Sequence, residues 1–345
     1  MAALGISAML VTDVVNLQWL TGFTGSSGRA ILTPNRAVFI TDSRYGVQAH
    51  DEVKDFEIEI FATPRTLDQV CREVLDSEKV TVLGYEPSMS MVQFEGLQKE
   101  FAGVTFKPES DLFTPLRMIK TPEEIEKIRR ACGLADACFQ HVQRLFQVGV
   151  TEWDIMIEIE FFMRRNSAKV SFDVIAVSGP NSAKPHGKPT ERKLQPGDFV
   201  TLDYGALLDM YCSDFTRTVV IGEPTDRHKL IYGLVKEAEE LCCEALVAGA
   251  SGTAVDKIAR DLFATENMAQ FFGHGLGHGL GRAVHDPGGL SPTRDFEIQV
   301  GQVWTVEPGI YIEGFGGVRI EDDVVVTEAG PERLTHSTRE LLAFG

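Results

Sequence analysis

The stretch Gly197-Asp198-Phe199-Val200-Thr201-Leu202-Asp203-Tyr204-Gly205 returns 104 residues later as Gly301-Gln302-Val303-Trp304-Thr305-Val306-Glu307-Pro308-Gly309. The match sets Gly197 against Gly301, Thr201 against Thr305, Asp203 against Glu307 and Gly205 against Gly309. Val148-Gly149-Val150-Thr151 is echoed by Ala248-Gly249-Ala250-Ser251, each joining a long helix to a shorter one, and Ser213-Asp214-Phe215 is echoed by Ile320-Glu321-Asp322. Two copies make a duplication and not a solenoid, in which at least about three stacked repeats are needed for stability. The expectation is two similar halves, each of two helices and a β-hairpin, related by a pseudo-twofold axis.

The echoed strands are apolar enough to be buried, with Val200, Leu202, Val219 and Val220 in one hairpin and Val303, Val306, Val324 and Val325 in the other. A turn at Leu208-Asp209 sets Asp203 opposite Asp214, and a turn about Gly314 sets Glu307 opposite Glu321, where facing side chains sit about 4.5 to 5.5 Å apart. Each acid taken alone reads as an exposed loop acid or a helix cap. Two symmetric pairs read differently, because like charges destabilise a sheet and four buried carboxylates cannot all stay ionised without cations. Two divalent ions balance four carboxylates, and close spacing lets some of them bridge. A nitrogen donor is expected from Gly273-His274-Gly275-Leu276-Gly277-His278-Gly279-Leu280-Gly281 or from His285 shortly after, since flanking glycines let the backbone approach a ligand. The glycines argue against a helix, and the tract lacks the H-E-x-x-H pattern of single-zinc proteases. An oxygen-rich set with one imidazole favours manganese, with cobalt or zinc also accommodated.

The length of 345 residues predicts about two domains, and 43% hydrophobic content supplies each with a core. Residues 1–115 read as an α/β domain, with strands at 8–11, 30–33, 37–41, 56–62 and 80–84 and helices at 67–78 and 91–101. Its segment Thr21-Gly22-Phe23-Thr24-Gly25-Ser26-Ser27-Gly28 reads as a Gly/Ser turn, because no Gly-Lys-Ser/Thr follows to hold a phosphate. The boundary falls within 113–120. Thr121, Pro122 and Glu124 then form a helix start, with Ile125, Ile128, Ala135, Phe139 and Val142 at helical spacing, and Thr151 with Asp154 starts a second helix reaching about Arg165. The second domain spans 116–345.

Fifty acidic against 33 basic side chains leave a net charge of -17, which repels nucleic acid and anionic membrane surfaces. The six cysteines show no C-x-x-C spacing and read as reduced thiols of a cytoplasmic protein. The apolar opening lacks the charged start of a secretory signal, its first basic residue being Arg29, and no run approaches the ~18 apolar residues that span a bilayer.

With Asp203, Asp214, His278, Glu307 and Glu321 in this order and setting, the chain resembles the pita-bread metallopeptidases over nearly its whole length. Within them it is most similar to the Xaa-Pro peptidases, aminopeptidase P and prolidase. The strings that carry the resemblance, besides 21–28, are Thr41-Asp42-Ser43-Arg44-Tyr45, Gly179-Pro180-Asn181 running to Pro185-His186-Gly187, Leu202-Asp203-Tyr204-Gly205, Ser213-Asp214-Phe215-Thr216-Arg217-Thr218 and Val318-Arg319-Ile320-Glu321-Asp322. The resemblance implies a creatinase-type α/β N-terminal domain, an α+β pita-bread catalytic domain, and a homodimer. It makes Asp203 a chelating ligand of one ion, Asp214 and Glu321 bridges, and His278 and Glu307 ligands of the other. Glu307 doubles as proton shuttle, His274 and His285 stabilise the gem-diolate or orient substrate, and His186, Arg319 and Phe172 lie near the substrate. On the residues alone, Phe172 is equally a core side chain, Arg319 also reads as a counter-charge to the acids, Glu307 as a ligand only, and His274 and His285 as structural hydrogen-bonding groups in a Gly-rich loop. One departure is His285-Asp286, where the family usually has His-Glu; it leaves the metal set intact and bears on the neighbouring pocket wall.

A water bridging two metals supplies the nucleophile for amide hydrolysis, so no Ser or Cys is required. Proline in second position has no N–H, and a site built for its ring loses no hydrogen bond there. The expected substrates are short peptides with proline second, cleaved as an Xaa-Pro aminopeptidase, with Xaa-Pro dipeptidase as the alternative. A dipeptidase must meet a carboxylate with a cation, for which Arg44 and Arg319 are the candidates. Methionine aminopeptidase leaves the first 115 residues unexplained, and a metal-free creatinase-like relative should have lost ligands, whereas all five are present.

Overall fold

The computed structural model describes residues 1–110 and 112–345, which divide into the units Met1–Thr114 and Pro115–Gly345. The first is built on a six-stranded mixed sheet in the order Glu57–Phe61, Ala37–Asp42, Arg29–Leu32, Ala8–Val11, Val82–Tyr85, Thr105–Pro108. Successive side chains of a strand point to opposite faces. Ala8, Leu10, Val38 and Ile40 accordingly pack with the helix Leu67–Ser77, while Met9, Val11 and Phe39 pack on the other face with Leu17 and Ala49. Burial on both faces explains why these strands are apolar throughout and do not alternate.

Two short helices, Val14–Thr21 and Gly46–Glu52, and the strand Thr105–Pro108 go beyond the elements expected from sequence. The first helix carries apolar residues on all sides and the second opens on a glycine, so neither shows helical periodicity. The 21–28 segment is a turn: Gly22, at φ 76°, ends the first helix, and Glu52 accepts from Thr24 N at 2.7 Å.

In the second unit the duplication is visible in the backbone. The helices Pro122–Val142 and Glu152–Arg165 are answered by Asp226–Glu244 and Gly252–Thr265. All four start on a Ser or Thr cap, and Thr121, Thr151 and Thr225 each close a capping box. Gly149 and Gly249 sit at φ 95° and 85°, and Gly197 and Gly301 at 87° and 85°. Gly149 N donates to Leu194 O at 3.0 Å, and Gly249 N to Ile298 O at 2.8 Å. The first half's sheet runs Ala343–Phe344, Phe215–Ile221, Phe199–Tyr204, Ile175–Ser178, and the second's Asp286–Leu290, Gly277–Gly279, Val303–Val306, Asp322–Thr327, Gly330–Arg333. Val200 and Val219 pack with Ala135, Phe139, Ile155 and Ile159; Trp304 and Val324 pack with Val235, Ala238, Val255 and Ala259.

The two hairpins differ in register. In the second, the pairs Val306–Asp322 and Gly309–Arg319 place Glu307 across from Glu321, as the turn about Gly314 predicts. The expectation for the first is corrected: Asp203 faces Thr216, not Asp214. The chain turns on Asp209 and Met210, both at positive φ (48° and 66°), the backbone of a two-residue hairpin turn, and not at Leu208-Asp209. Between the pairs Tyr204–Phe215 and Leu207–Cys212, Asp214 comes opposite Gly205. All six cysteines are buried and free, and among the described residues no helix is long and apolar enough to cross a membrane.

Candidate functional site

Asp203 lies in the strand Phe199–Tyr204, and Asp214 immediately before Phe215–Ile221. Glu321 sits where the second hairpin is interrupted, between Gly316–Arg319 and Asp322–Thr327, and there its N–H donates to Thr216 O at 3.1 Å. Thr216 Oγ1 also donates to Glu321 Oε2 at 2.6 Å. This meeting of the two hairpins gathers one carboxylate oxygen each from Asp203, Asp214 and Glu321 within 4.8 Å of one another.

His278 and Glu307 complete the group. His278 Nε2 is 3.5 Å from Asp214 Oδ2 and 3.6 Å from Glu307 Oε1. Its Nδ1 hydrogen-bonds Gly279 O at 3.0 Å; as the donor there, it leaves the Nε2 lone pair facing the acids. The tract is held against the strand Val303–Val306 by His278 N donating to Thr305 Oγ1 at 3.0 Å and by Glu307 N donating to Leu276 O at 2.8 Å. Only glycine fits at 277, since a Cβ there would stand 2.0 Å from Thr305 O.

Burial pushes the carboxyls of Asp214 and Glu321 well above the ordinary range, with neighbouring carboxylates adding to the rise, and burial also raises Glu307. Asp203 Oδ1 and Glu321 Oε1 are buried without a hydrogen-bond partner. Four crowded acids, two unpartnered oxygens and an imidazole lone pair suit divalent cations, which would replace the missing partners and the missing positive charge. Arg319 alone does not compensate them: it donates to Asp203 Oδ2, to Tyr311 OH at 2.7 Å and to Thr216 Oγ1 at 3.1 Å.

A cavity of about 600 Å³ opens over the cluster, its walls including Phe172, His186, His285, Trp153 and Lys188. The His285 ring packs on that of His278 at 4.3 Å, and burial followed by the nearby His278 lowers its pKa. His274 lies behind Arg319: the guanidinium donates to Tyr311 OH, which lies 2.9 Å from His274 Nε2, while His274 Nδ1 lies 2.8 Å from Gly275 O. Burial, reinforced by Arg319, pushes the His274 pKa down to about 4, so its imidazole is neutral at pH 7. Asp286 is nearly buried between Arg117 and Lys120, with Lys120 Nζ at 3.2 Å. Two cations thus hold the acid next to His285, which is what the departure at this position amounts to here.

Tyr311, Trp153 and Lys188 escaped the sequence reading. Tyr311 and Trp153 carry no local motif, whereas Lys188 stands two residues beyond His186 and its charge could have marked it.

The chain matches the model of metallopeptidase family M24 over residues 126–328 and that of the creatinase/prolidase N-terminal domain over residues 1–119. It is 41% identical to the Bacillus subtilis "Uncharacterized peptidase YqhT", covering 98% of this chain and 96% of that protein. Among solved structures it is similar to the Xaa-Pro dipeptidase from Bacillus anthracis, with a TM-score of 0.96 at 38% identity, over 99% of this chain and 96% of that one. It is also similar to the X-Pro aminopeptidase from Thermotoga maritima, with a TM-score of 0.92 at 36% identity, over 99% of both chains.

Proposed function

The chain belongs to metallopeptidase family M24, with a creatinase/prolidase N-terminal domain, and on that premise we propose that it hydrolyses the peptide bond between an N-terminal residue and a following proline. The observation that carries the proposal is the convergence of Asp203, Asp214, Glu321, Glu307 and His278 at the floor of one cavity, with buried carboxylate oxygens left unpartnered. These five side chains would hold a pair of divalent ions, and manganese would suit a set dominated by carboxylates. Bound divalent ions supply an activated water and polarise the scissile carbonyl.

The protein's own groups do the rest. Glu307, beside His278 on the cavity floor, would move the proton towards the departing proline nitrogen. His285, on the cavity wall beside His278, is placed to donate to the oxygen on which charge develops. His274 acts at one remove, in line with Tyr311 and Arg319, and keeps Arg319 turned to Asp203. Phe172 offers an apolar wall to the proline ring, and His186 lines the same cavity.

Within this reading we favour free Xaa-Pro dipeptides. Of the two arginines singled out by sequence, Arg319 is committed to Asp203 and Tyr311, while Arg44 lies in the first unit, exposed and paired with Asp42 at 2.8 Å. Lys188 lines the cavity and supplies the cation that the sequence reading overlooked. Cleavage of longer Xaa-Pro-Xaa peptides is the second reading, favoured by the likeness to the Thermotoga maritima X-Pro aminopeptidase. The test is kcat/KM of the manganese-loaded protein on Ala-Pro, Ala-Pro-Ala and Ala-Ala. The expected order places Ala-Pro first. A faster tripeptide would reverse the choice of length, and a faster Ala-Ala would overturn the proline specificity.

A further inference from the structure

Between Ser178 and Thr190 the chain leaves the first half's sheet, contributes His186, Gly187, Lys188 and Pro189 to the cavity wall, and comes back. The hydrogen bonds at the neck of this loop converge on one side chain. Glu152, the first residue of the helix Glu152–Arg165, is fully buried (0% exposed). Its Oε1 accepts from Ser178 N at 2.6 Å and Ser178 Oγ at 2.8 Å. Its Oε2 accepts from Asn181 Nδ2 at 3.0 Å, Thr190 N at 2.9 Å and Thr190 Oγ1 at 2.7 Å. Asn181 Nδ2 also donates to Lys188 O at 3.1 Å, which carries the tie from the neck to the cavity-lining limb.

These five donors are all uncharged, and the neighbouring cation Arg192 is turned to Ser178 Oγ at 2.6 Å and Asp198 at 2.6 Å. A carboxylate with five donors is charge-assisted and directional in a way that apolar packing is not. Position 152 at the start of a helix further favours a negative group. The fold does not demand this residue, because the echoed position in the second half is Gly252. Glu152 therefore serves something particular to the first half, and the segment it fastens is the substrate-facing wall.

We propose that Glu152 is a positioning residue for substrate binding: acting through the 178–190 loop, it fixes His186 and Lys188 in the cavity wall without touching the reacting groups. The proposal rests on the peptidase reading for its kinetic readout only. Glu152→Gln turns one acceptor oxygen into an amide donor facing other donors, and Asn181→Ala removes the hydrogen bond to Lys188 O while leaving the carboxylate. On the full manganese-loaded chain, Glu152→Gln is expected to raise KM for Ala-Pro about tenfold or more with kcat within about threefold and full metal content. Asn181→Ala should move KM the same way by less, and it decides the matter if Glu152→Gln does not fold. KM does not depend on how much of the sample is folded, so a merely structural role would lower activity with KM unchanged, and that result would overturn the proposal. Amide hydrogen exchange gives a readout independent of catalysis: protection should fall across 178–190 and hold in the strand Phe199–Tyr204. Unchanged exchange in the loop would overturn the proposal even if the wild-type protein cleaved no Xaa-Pro peptide, an outcome that would count against the peptidase reading alone.

Discussion

The helices Glu152–Arg165 and Gly252–Thr265 are both 14 residues long, start on Thr151 and Ser251 caps, and are followed by Ser167 and Asn267 at φ 60° and 56°. They nevertheless anchor their neighbouring loops with unrelated side chains. Glu152 ties the loop of His186, whereas at Gly252 a Cβ would already stand 3.3 Å from Leu290 Cδ2 and 3.4 Å from Phe296 O. The second helix uses Asp256 instead, one turn on. Its carboxylate pairs with Arg260 at 2.7 and 3.0 Å and accepts from Leu276 N at 3.1 Å, while Arg260 donates to His274 O at 2.6 Å. The duplicated backbone has kept its helix caps and positive-φ junctions, and the side chains that fasten the loops beside the acid cluster have been chosen separately. A repeat of this kind supplies a symmetric frame and, at Asp203/Glu307 and Asp214/Glu321, a symmetric set of acids, while the side chains that hold the surrounding loops differ between the copies.

The sharpest way to break the comparison is at the two acids that the copies contribute jointly. Asp214→Ala and Glu321→Ala should each lose turnover beyond about a thousandfold and lower the metal content, because each removes a ligand proposed to be shared by both ions. Metal analysis and rates showing one variant fully loaded and active would mean the halves are not equivalent at this point. The histidines should separate next. His285→Ala should keep metal and lose kcat on the order of 10², the effect of one lost transition-state donor, while His278→Ala should lose metal first. An equal metal deficit in both would misplace the ligand.

Chelation tests the crowding itself. The folded pKa values of Asp214 and Glu321 are raised, so their contribution to stability is fully present below the ordinary carboxylate range and is lost as pH rises through the raised values. The metal-free protein should therefore melt lower at pH 8 than at pH 5.5, and by more than the loaded protein does over the same interval in scanning calorimetry. A parallel pH dependence for both forms would show that the ions do not relieve these acids. The smallest effects concern the frame. Gly149→Ala and Gly249→Ala should each cost about 1 to 2 kcal/mol in urea unfolding, and equally, since both sit at positive φ in open space. Gly197→Ala should resemble them, and Gly301→Ala should exceed all three because its Cβ would meet Ile119 Cγ2 at 3.1 Å and Lys120 O at 3.3 Å.

The contrast between halves also shows what a sequence reveals. The Gly314 turn is written in a glycine at φ 75°, and the second hairpin's register followed from it. The first turn forces two non-glycine residues into positive φ, which no residue type announces, so the register there slipped by two. The helices of the second unit were legible because Thr-x-x-Glu and Thr-x-x-Asp caps and 3.6-residue periodicity are local signals. The acids stood out because they interrupt apolar strands. Glu152, Asp256 and Tyr311 did not, since each acts on a partner at least 20 residues away, such as Leu276 for Asp256 and His274 for Tyr311, and nothing in the local spacing records such a contact.

Strand Ala343–Phe344 completes the first half's sheet beside Phe215–Ile221, with Val220 N donating to Leu342 O at 2.9 Å and Gly222 N to Phe344 O at 2.6 Å. Ala343 follows Ile221 by 122 positions. A ribosome adding ~5 to 20 residues per second needs roughly 6 to 24 s to cover that distance. Throughout that interval the outer edge of Phe215–Ile221 presents unpaired amides to other nascent chains emerging from the same polysome. The hairpin that carries Asp203 and Asp214 is thus sealed by a strand translated more than a hundred residues after it, and the speed of the ribosome sets how long that edge waits for its partner.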